Sequence, residues 1–334
     1  MKKTTNNIFL NPSNNALLSC LVIGVAAPIT ANADNIDNII EDFTAKASIY
    51  DDKNGIHIVD KVAVYHRKNK KAAVDWKLKA HDYEFHGEKN ADVYDGNTII
   101  GEITKEFNEY ISSQLSVGAV FITNHRTKLT SKFTNYNAKV TVKPNKKVAI
   151  NVEHGEDLLF KEAIIQDDNN KLVSAETSRL SGSWRAGKRV IIEGSSQYRE
   201  LSDGNYSRHH RAAALYGISP DTPWVWLGVE AQSLSYDDKK SNYWSPEDYE
   251  SHAVILSSNF NVNKRLSVNV NGNINRSKEK GYDWASGSGV TVGAKYKISE
   301  KTSINAHASY TESSRESEAW HGKSAGVSIT VTDF

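Results

Sequence analysis

The sequence predicts an all-β fold, a transmembrane antiparallel β-barrel of about sixteen strands, and three observations support this prediction. Apolar and polar residues alternate with a period of two from about residue 43 to the end of the chain. Most of the alternating segments have about ten residues or more, the length that a tilted strand needs to cross a bilayer. One face of segment after segment carries Lys, Arg, Glu and Asn, which a packed core could not accept without partners.

Composition limits the remaining choices. The 334-residue chain is 24% charged and 39% hydrophobic, with a formal net charge of +1, which fits one large domain or two ordinary ones and excludes collagen-like and disordered chains. Its one methionine is Met1 and its one cysteine is Cys20. Disulfide frameworks, thiolate metal sites and cysteine nucleophiles are therefore excluded beyond the N-terminal region. No linker or change of composition divides the chain, so a single barrel domain is predicted.

The N-terminal region has the parts of a secretory signal peptide. A basic start precedes the apolar run 16–27, and the small-x-small sequence of residues 31–33 follows it. We expect residues 1–33 to be a signal peptide cleaved after Ala33, and residues 34–334 to form an outer-membrane β-barrel of a Gram-negative bacterium. A lipoprotein box around Cys20 is the alternative, but the apolar run continues beyond that cysteine, where a lipoprotein turns polar.

The charges are nearly balanced after this cleavage. Loss of Lys2 and Lys3 reduces the 41 basic residues to 39, against 40 acidic ones. No strongly basic surface remains for nucleic acid, so a nucleic-acid partner is not expected. No later segment has the length of an apolar transmembrane helix, so a chain that enters the membrane must do so as strands.

The strands follow from the alternation, taken in chain order. The clearest lies at 265–276, where Leu266, Val268, Val270 and Ile274 alternate with polar residues that are mostly asparagines. The predicted strands are 43–50, 56–67, 72–86, 97–107, 111–124, 129–142, 147–158, 173–186, 189–200, 208–218, 224–236, 249–262, 265–276, 285–298, 302–312 and 320–333. A barrel of fourteen strands, without the first two, is the alternative.

The links between strands agree with a barrel. Short polar links alternate with longer ones, and an even number of strands then places both chain ends on the same side. The four prolines beyond the signal peptide all fall in predicted links, where a missing N–H does not interrupt a ladder. They are Pro144, Pro220, Pro223 and Pro246.

A soluble β-sandwich is the main structural alternative. Its strands are usually about five or six residues long, and its apolar face points inward. A membrane barrel reverses this arrangement, with apolar residues toward lipid and polar residues toward a wet lumen. Outer-membrane lipid and the barrel-assembly machinery are then the expected partners. The C-terminal aromatic residue Phe334 fits such a chain. Its residue number is even, whereas the apolar residues Val327, Ile329 and Val331 are odd, so in a regular strand it would lie on the opposite face. Either a bulge intervenes or Phe334 points inward.

Sixteen strands would enclose an aqueous channel. The polar faces and the tryptophans beside them supply the residues predicted to line a substrate path. They are Lys77, Lys79, Arg185, Arg189, Glu193, Arg199, Arg211, Trp224, Trp226, Trp244, Asn269, Asn271 and Lys295. The excess of bases indicates a mildly electropositive passage. The alternative is that these charges pair across the lumen and only keep it hydrated.

The tryptophans divide by parity and position. Trp76 and Trp184 share the parity of lipid-facing neighbours, which predicts interfacial girdles. Trp224 and Trp226 have the parity opposite to their apolar neighbours and should point inward. Trp244 falls in an outer link, where a flat ring could stack on a sugar. For each of these tryptophans, packing in a girdle or within a loop is the alternative.

One segment carries a family resemblance. Residues 243–249 read Tyr-Trp-Ser-Pro-Glu-Asp-Tyr at the start of a late strand, and Gly281-Tyr282 follows in the next link. Over the last third of the chain, this arrangement resembles the barrel portion of exopolysaccharide export porins of the poly-N-acetylglucosamine and cellulose secretion type. In that family, a periplasmic array of tetratricopeptide repeats precedes the barrel and recruits the synthesis machinery. About nine residues separate Asp34 from the first predicted strand. We therefore expect either that a periplasmic synthesis or scaffold protein supplies that role or that the pore is not an exporter.

The sequence therefore predicts an outer-membrane pore that conducts polysaccharide or oligosaccharide, as part of an exopolysaccharide secretion system. A general diffusion porin and a plugged structural or adhesive barrel are the alternatives. No enzyme activity, cofactor or metal is expected. The grouping of Asp203, Ser207, His209 and His210 lacks a lipase-type motif, and His154 and Asp157 should point to opposite faces of their strand.

Overall fold

The computed structural model describes residues 39–333 apart from residues 54, 87–92, 129, 159–171, 220–223, 241–242 and 316–317. The predicted signal peptide and Phe334 lie outside the described residues. The described part of the chain has no helix that is long and apolar enough to cross a membrane.

Sixteen strands form one closed antiparallel barrel. They are β1 (Ile39–Asp52), β2 (His57–Asn69), β3 (Val74–His86), β4 (Val93–Glu106), β5 (Ile111–Asn124), β6 (Thr130–Asn145), β7 (Val148–Leu158), β8 (Ser174–Ala186), β9 (Val190–Leu201), β10 (Tyr206–Ser219), β11 (Trp224–Tyr236), β12 (Tyr249–Asn261), β13 (Leu266–Glu279), β14 (Ala285–Lys297), β15 (Thr302–Arg315) and β16 (Glu318–Thr332). Each strand pairs with its neighbours in sequence, and β1 pairs with β16 to close the barrel. The predicted fold class is confirmed with sixteen strands, and the alternative of fourteen is wrong.

The two ends of the barrel differ in their links. The end that carries both chain termini, here called the terminal end, has links of two to four residues. At the opposite end, here called the loop end, the longest links are 159–173 and 237–248. Several predicted long links are shorter than expected because β4, β10, β13 and β15 extend further toward the loop end.

Asparagine side chains shape the tight links of the terminal end. The Asn108 Oδ1 atom accepts hydrogen bonds from the backbone N–H groups of Tyr110 and Ile111, both at 2.8 Å. In the β12–β13 link, the Asn263 Oδ1 atom likewise accepts hydrogen bonds from the backbone N–H groups of Arg265 at 2.8 Å and Leu266 at 2.9 Å. Such local bonds satisfy backbone donors that leave the ladder, which explains why so few residues suffice to reverse the chain.

Pro144 lies inside β6, so its predicted placement in a link is wrong. The β6–β7 register shifts between Val142 and Asn145, which leaves Pro144 at an irregular position of the ladder. A proline that donates no hydrogen bond is tolerated at such a bulge.

The outer surface is an apolar belt. Val229 pairs with Val254, and Val254 pairs with Ile274, so that large side chains of three strands stand side by side. The exposed fractions of Val229 and Ile274 are 60% and 65%. Trp76 and Trp184 belong to the same face near the terminal end and are 55% and 48% exposed. This surface is the lipid-facing side of a transmembrane barrel, with aromatic residues at its margin.

Two apolar clusters lie on the inner side near the loop end. The first contains Phe85, Tyr94, Val120, Ile122 and Leu158. The second contains Val173, Ala175, Leu201 and Tyr236. All nine residues are at most 8% exposed. The expectation of a polar inner face throughout is therefore wrong at the loop end, where packed side chains thicken the wall.

Candidate functional site in the barrel interior

The cross-strand register defines which residues face the interior. On β13, Asn269 pairs with Gly293 of β14, while its outward neighbour Val270 pairs with Val292. The alternation continues around the barrel, since Ser257 of β12 pairs with Asn271 and Leu256 pairs with Gly272. Odd residues of β12, β13, β14 and β15 thus face inward.

An uncharged wall of amides runs along β12 and β13, here called the amide wall. It consists of Asn259, Asn269, Asn271, Asn273 and Asn275, which share the inner face. The Ser257 hydroxyl donates to Asn271 Oδ1 at 2.7 Å, and Asn275 Nδ2 donates to Asn273 Oδ1 at 3.1 Å. Each amide offers both donors and acceptors, so the wall can replace water around a polar solute.

Glycines of β14 make room for these amides. Gly287 pairs with Asn275, Gly289 with Asn273 and Gly293 with Asn269. A Cβ atom on Gly287 would lie 2.7 Å from Asn275 Oδ1, and one on Gly293 would overlap the Asn269 side chain. The asparagines therefore lie across the neighbouring strand. This pairing could have been found in the sequence from the shared inward parity of Gly and Asn, but only once the β13–β14 register was fixed.

A second inner surface, on β1–β4, is charged and internally paired. Lys77 Nζ contacts Glu102 Oε1 at 2.7 Å, and Lys79 Nζ contacts Glu102 Oε2 at 3.0 Å. Glu102 is only 7% exposed between them. Lys77 and Lys79 face inward as predicted, but Glu102, which sequence reasoning missed, neutralises part of their charge.

Arg211 forms the centre of a third group. Its guanidinium contacts Glu230 at 2.6 Å and Glu193 at 3.3 Å, so one base bridges carboxylates of β9 and β11. Glu230 has inward parity but was absent from the predicted path. For Glu193, Arg211, Lys77 and Lys79, the structure therefore favours the alternative in which lumen charges pair with one another.

The remaining basic residues of the predicted substrate path do not belong to such groups of paired charges. Arg185 and Lys295 lie on inner faces near the terminal end, where neither forms an ion pair with a described carboxylate. Arg199 lies on the inner face of β9 opposite Ser207. Arg189 lies in the link before β9 and donates to the Tyr216 hydroxyl at 3.4 Å, which holds it at the rim.

The three predicted tryptophans have different positions. Trp226 faces inward and is 8% exposed, because its ring packs over Gly217, where a Cβ atom would lie 3.2 Å from the ring. Trp226 thus forms part of the wall. Trp224 begins β11, and its side chain lies outside the described part of the structure. Trp244 is 37% exposed, and its Nε1 atom donates to Glu279 Oε2 at 3.1 Å.

The segment 243–249 folds into the loop end. Tyr243 packs against Tyr236 with ring centroids 6.0 Å apart, and its hydroxyl donates to Asp203 Oδ2 at 3.0 Å. Asn205, fully buried, donates to Tyr243 Oη at 3.0 Å and to the Asp238 carbonyl at 2.8 Å. This network fastens the link 237–248 to the β9–β10 link.

Ionisable groups of these links are shifted by their contacts. Burial is the main cause that raises the pKa of the Tyr243 hydroxyl, so it stays a neutral donor. Lys280 Nζ donates to Glu247 Oε2 at 2.6 Å, which lowers the pKa of Glu247 and raises the pKa of Lys280. The pair is fully charged at neutral pH, and its attraction is lost as the pH falls through the Glu247 pKa.

The residues considered for catalysis have other partners. Asp203 accepts the Tyr243 hydroxyl, and the His209 Nε2 atom lies 3.3 Å from Gln232 Oε1. His210 is on the outer face, opposite Ser233. Within the described residues, no group of three or more His, Cys, Asp or Glu side chains is placed to hold a metal ion. His154 and Asp157 lie at positions of opposite parity on β7, as predicted.

Comparisons with known proteins find similar folds among solved structures but no related sequence family. No family model matches the chain, and no curated protein matches it. A solved structure of a bacterial polysaccharide outer membrane secretin is similar to it, with a TM-score of 0.71 and 12% identity over 88% of this chain and 98% of that chain. The CymD monoaromatic hydrocarbon channel gives a TM-score of 0.50 and 8% identity over 88% of each chain. The crystal structure of OpdQ from Pseudomonas aeruginosa gives a TM-score of 0.49 and 8% identity over 89% of this chain and all of that chain.

At these identities, the comparisons show a shared fold. This chain has the architecture of an outer-membrane β-barrel, and its function must be argued from the chemistry of its interior.

Proposed function

We propose that this protein is an outer-membrane pore that conducts glycan chains. The observation that carries the proposal is the amide wall, an uncharged inner surface that offers donors and acceptors at successive positions along β13. Sugars present hydroxyl groups in all directions, and a pore must replace their hydration without binding them too tightly. Asparagine amides at every second residue of a strand can replace the water around the sugar hydroxyl groups, and because they are uncharged they bind these groups weakly.

The apolar belt supports the membrane location. Large outward residues such as Ile274 and Val229 would be costly in water, and hydrocarbon is their favourable environment. With the barrel in the outer membrane, the terminal end faces the periplasm and the loop end faces outside. The predicted signal peptide, cleaved after Ala33, would deliver the chain to the periplasm, and the assembly machinery would insert it.

A role in exopolysaccharide secretion extends this proposal. The family resemblance of segment 243–249 supports it, and one of the similar solved structures is described as a bacterial polysaccharide outer membrane secretin. A periplasmic synthesis or scaffold protein would then deliver the glycan to the terminal end. Deletion of the gene should remove glycan from the cell surface and leave it in the periplasm. Unchanged surface glycan would contradict the secretion role.

The pore proposal is tested by single-channel recording in planar bilayers. We expect a stable ion current that oligosaccharides block in proportion to their concentration. The double variant N269A/N271A should weaken this blockade because it removes two adjacent amides of the wall. Gln114→Ala is the matched control, since Gln114 is an inward amide on β5, away from that wall.

Two results would contradict the proposal. An ion current that oligosaccharides do not block indicates a general diffusion porin. Absence of any current indicates a plugged barrel with a structural or adhesive role.

A further inference from the structure

Four cations gather at the terminal end beside the start of the amide wall. Lys264, Arg265, Lys295 and Lys297 line a crevice of about 370 Å³ together with Asn261 and Ser267. Lys295 pairs with Ser267, and the Lys297 N–H donates to the Arg265 carbonyl at 2.8 Å, so these residues lie on adjacent strands. We call this group the basic mouth.

The basic mouth lies on the inner side of the rim. Arg265, Lys295 and Lys297 continue the inward parity of β13 and β14, and Lys264 lies in the link between β12 and β13. All four side chains are exposed. Their charges therefore act on whatever approaches the passage from the terminal end.

No described carboxylate forms an ion pair with any of these four residues. The neighbouring inner faces carry Asn259 on β12 and Asn305 on β15, which are neutral. The next link along the rim contains Glu300 and Lys301, and the Lys301 Nζ atom donates to the Asp333 carbonyl at 2.7 Å. The four cations of the basic mouth differ in this respect from Lys77, Lys79 and Arg211, each of which contacts a carboxylate.

Unneutralised cations at the mouth of a pore attract anions and raise their local concentration. Like charges placed close together repel one another, so this arrangement gains stability from an anionic occupant. The amide wall begins directly beside it, because Asn269 is two residues beyond Ser267 on the same face. A chain held at the basic mouth is therefore already aligned with the amides.

We propose that the basic mouth is the loading site for an anionic glycan, a polysaccharide that carries carboxylate, phosphate or similar substituents. This inference rests on the proposed function and specifies its substrate class. The cations would hold the acidic substituents, while the asparagines would bind the hydroxyl groups. An acidic periplasmic protein would meet the links of the rim, whereas Lys295 and Lys297 lie on the inner face of β14, which favours the glycan.

The test compares two probes of similar length in planar bilayers with the full-length protein. Oligogalacturonate is the anionic probe, and a maltooligosaccharide is the neutral one. At low salt, the anionic probe should block the current at about tenfold lower concentration, and this preference should shrink as salt screens the charges. Blockade should be stronger when the probe is added on the side of the terminal end.

The double variant K295Q/K297Q should lose the preference and keep its response to the neutral probe. The control K146Q/K147Q removes two cations from a different link of the terminal end and should retain the preference. Equal blockade by both probes, or a preference that survives K295Q/K297Q, would overturn the anionic-glycan inference alone. Failure of both probes to block an intact ion current would overturn the proposed function itself.

Discussion

Glu102 shows how a single residue changes the electrostatics of the passage. It lies between Lys77 and Lys79, both within 3.0 Å, and reduces the net charge of that surface. The carboxylate also holds both lysines in place, because Lys77 Nζ donates to its Oε1 atom and Lys79 Nζ donates to its Oε2 atom.

Substitution of Glu102 by Gln tests this arrangement. The variant leaves two lysines without a neutralising carboxylate, so ion selectivity should shift toward anions, while Lys77→Gln should shift it toward cations. The reversal potential in a KCl gradient measures both changes. Glu84→Gln is the control, since Glu84 lies on the outer face of β3. Equal selectivity in all variants would show that this group does not border the passage.

At this scale, the sequence predicted which residues face inward but not which of them pair. Lys77, Lys79, Glu193 and Arg211 were recognised from alternation. Glu102 was missed because β4 has isoleucines on both faces, at Ile99 and Ile100, which obscures its parity. The partner of a lumen charge is set by cross-strand register, and Lys77 and Glu102 are 25 positions apart in the chain.

At the scale of the strand, the alternation has an energetic meaning. Leu256 of β12 pairs with Leu227 and Gly272 on the outer face, and its neighbour Ser257 faces inward. Adjacent residues of one strand therefore meet hydrocarbon and water, respectively. This contrast allows the same substitution to be compared in two environments.

We expect Leu256→Arg to destabilise the barrel by about 2–4 kcal/mol, the cost of a cation within the bilayer. Ser257→Arg should cost much less because its side chain reaches the hydrated interior. Urea titration of the protein in lipid vesicles, followed by the gel mobility of folded and unfolded forms, measures both. Similar costs for the two variants would contradict the assignment of faces.

Strand ends were the least predictable part of the fold. β4 begins at Val93 and β13 ends at Glu279, beyond the predicted limits of 97 and 276. Near the loop end the inner face carries packed apolar residues such as Tyr94, so the contrast between the two faces of a strand fades while backbone pairing continues. The apolar clusters around Ile122 and Leu201 could not be foreseen either, because they depend on strands distant in sequence.

At the scale of the whole molecule, closure explains why one pattern repeats sixteen times. β1 pairs with β16, so the described barrel has no free strand edge. Every strand can then present apolar residues to lipid and polar residues to the interior, with its backbone groups satisfied by neighbours. The amide wall and the basic mouth exist only because this closed register brings β12, β13 and β14 side by side.

A cysteine scan of β13 tests this account most directly. The natural chain has one cysteine, Cys20, within the predicted signal peptide, so the barrel provides a cysteine-free background. Single cysteines would replace Val268, Asn269, Val270, Asn271, Asn273 and Ile274 in turn. In lipid vesicles, a charged water-soluble thiol reagent should modify the odd positions rapidly, and a fluorophore at the even positions should be quenched by brominated lipid. Uniform labelling along the strand, or the reversed pattern, would contradict an apolar face toward lipid and a hydrated interior.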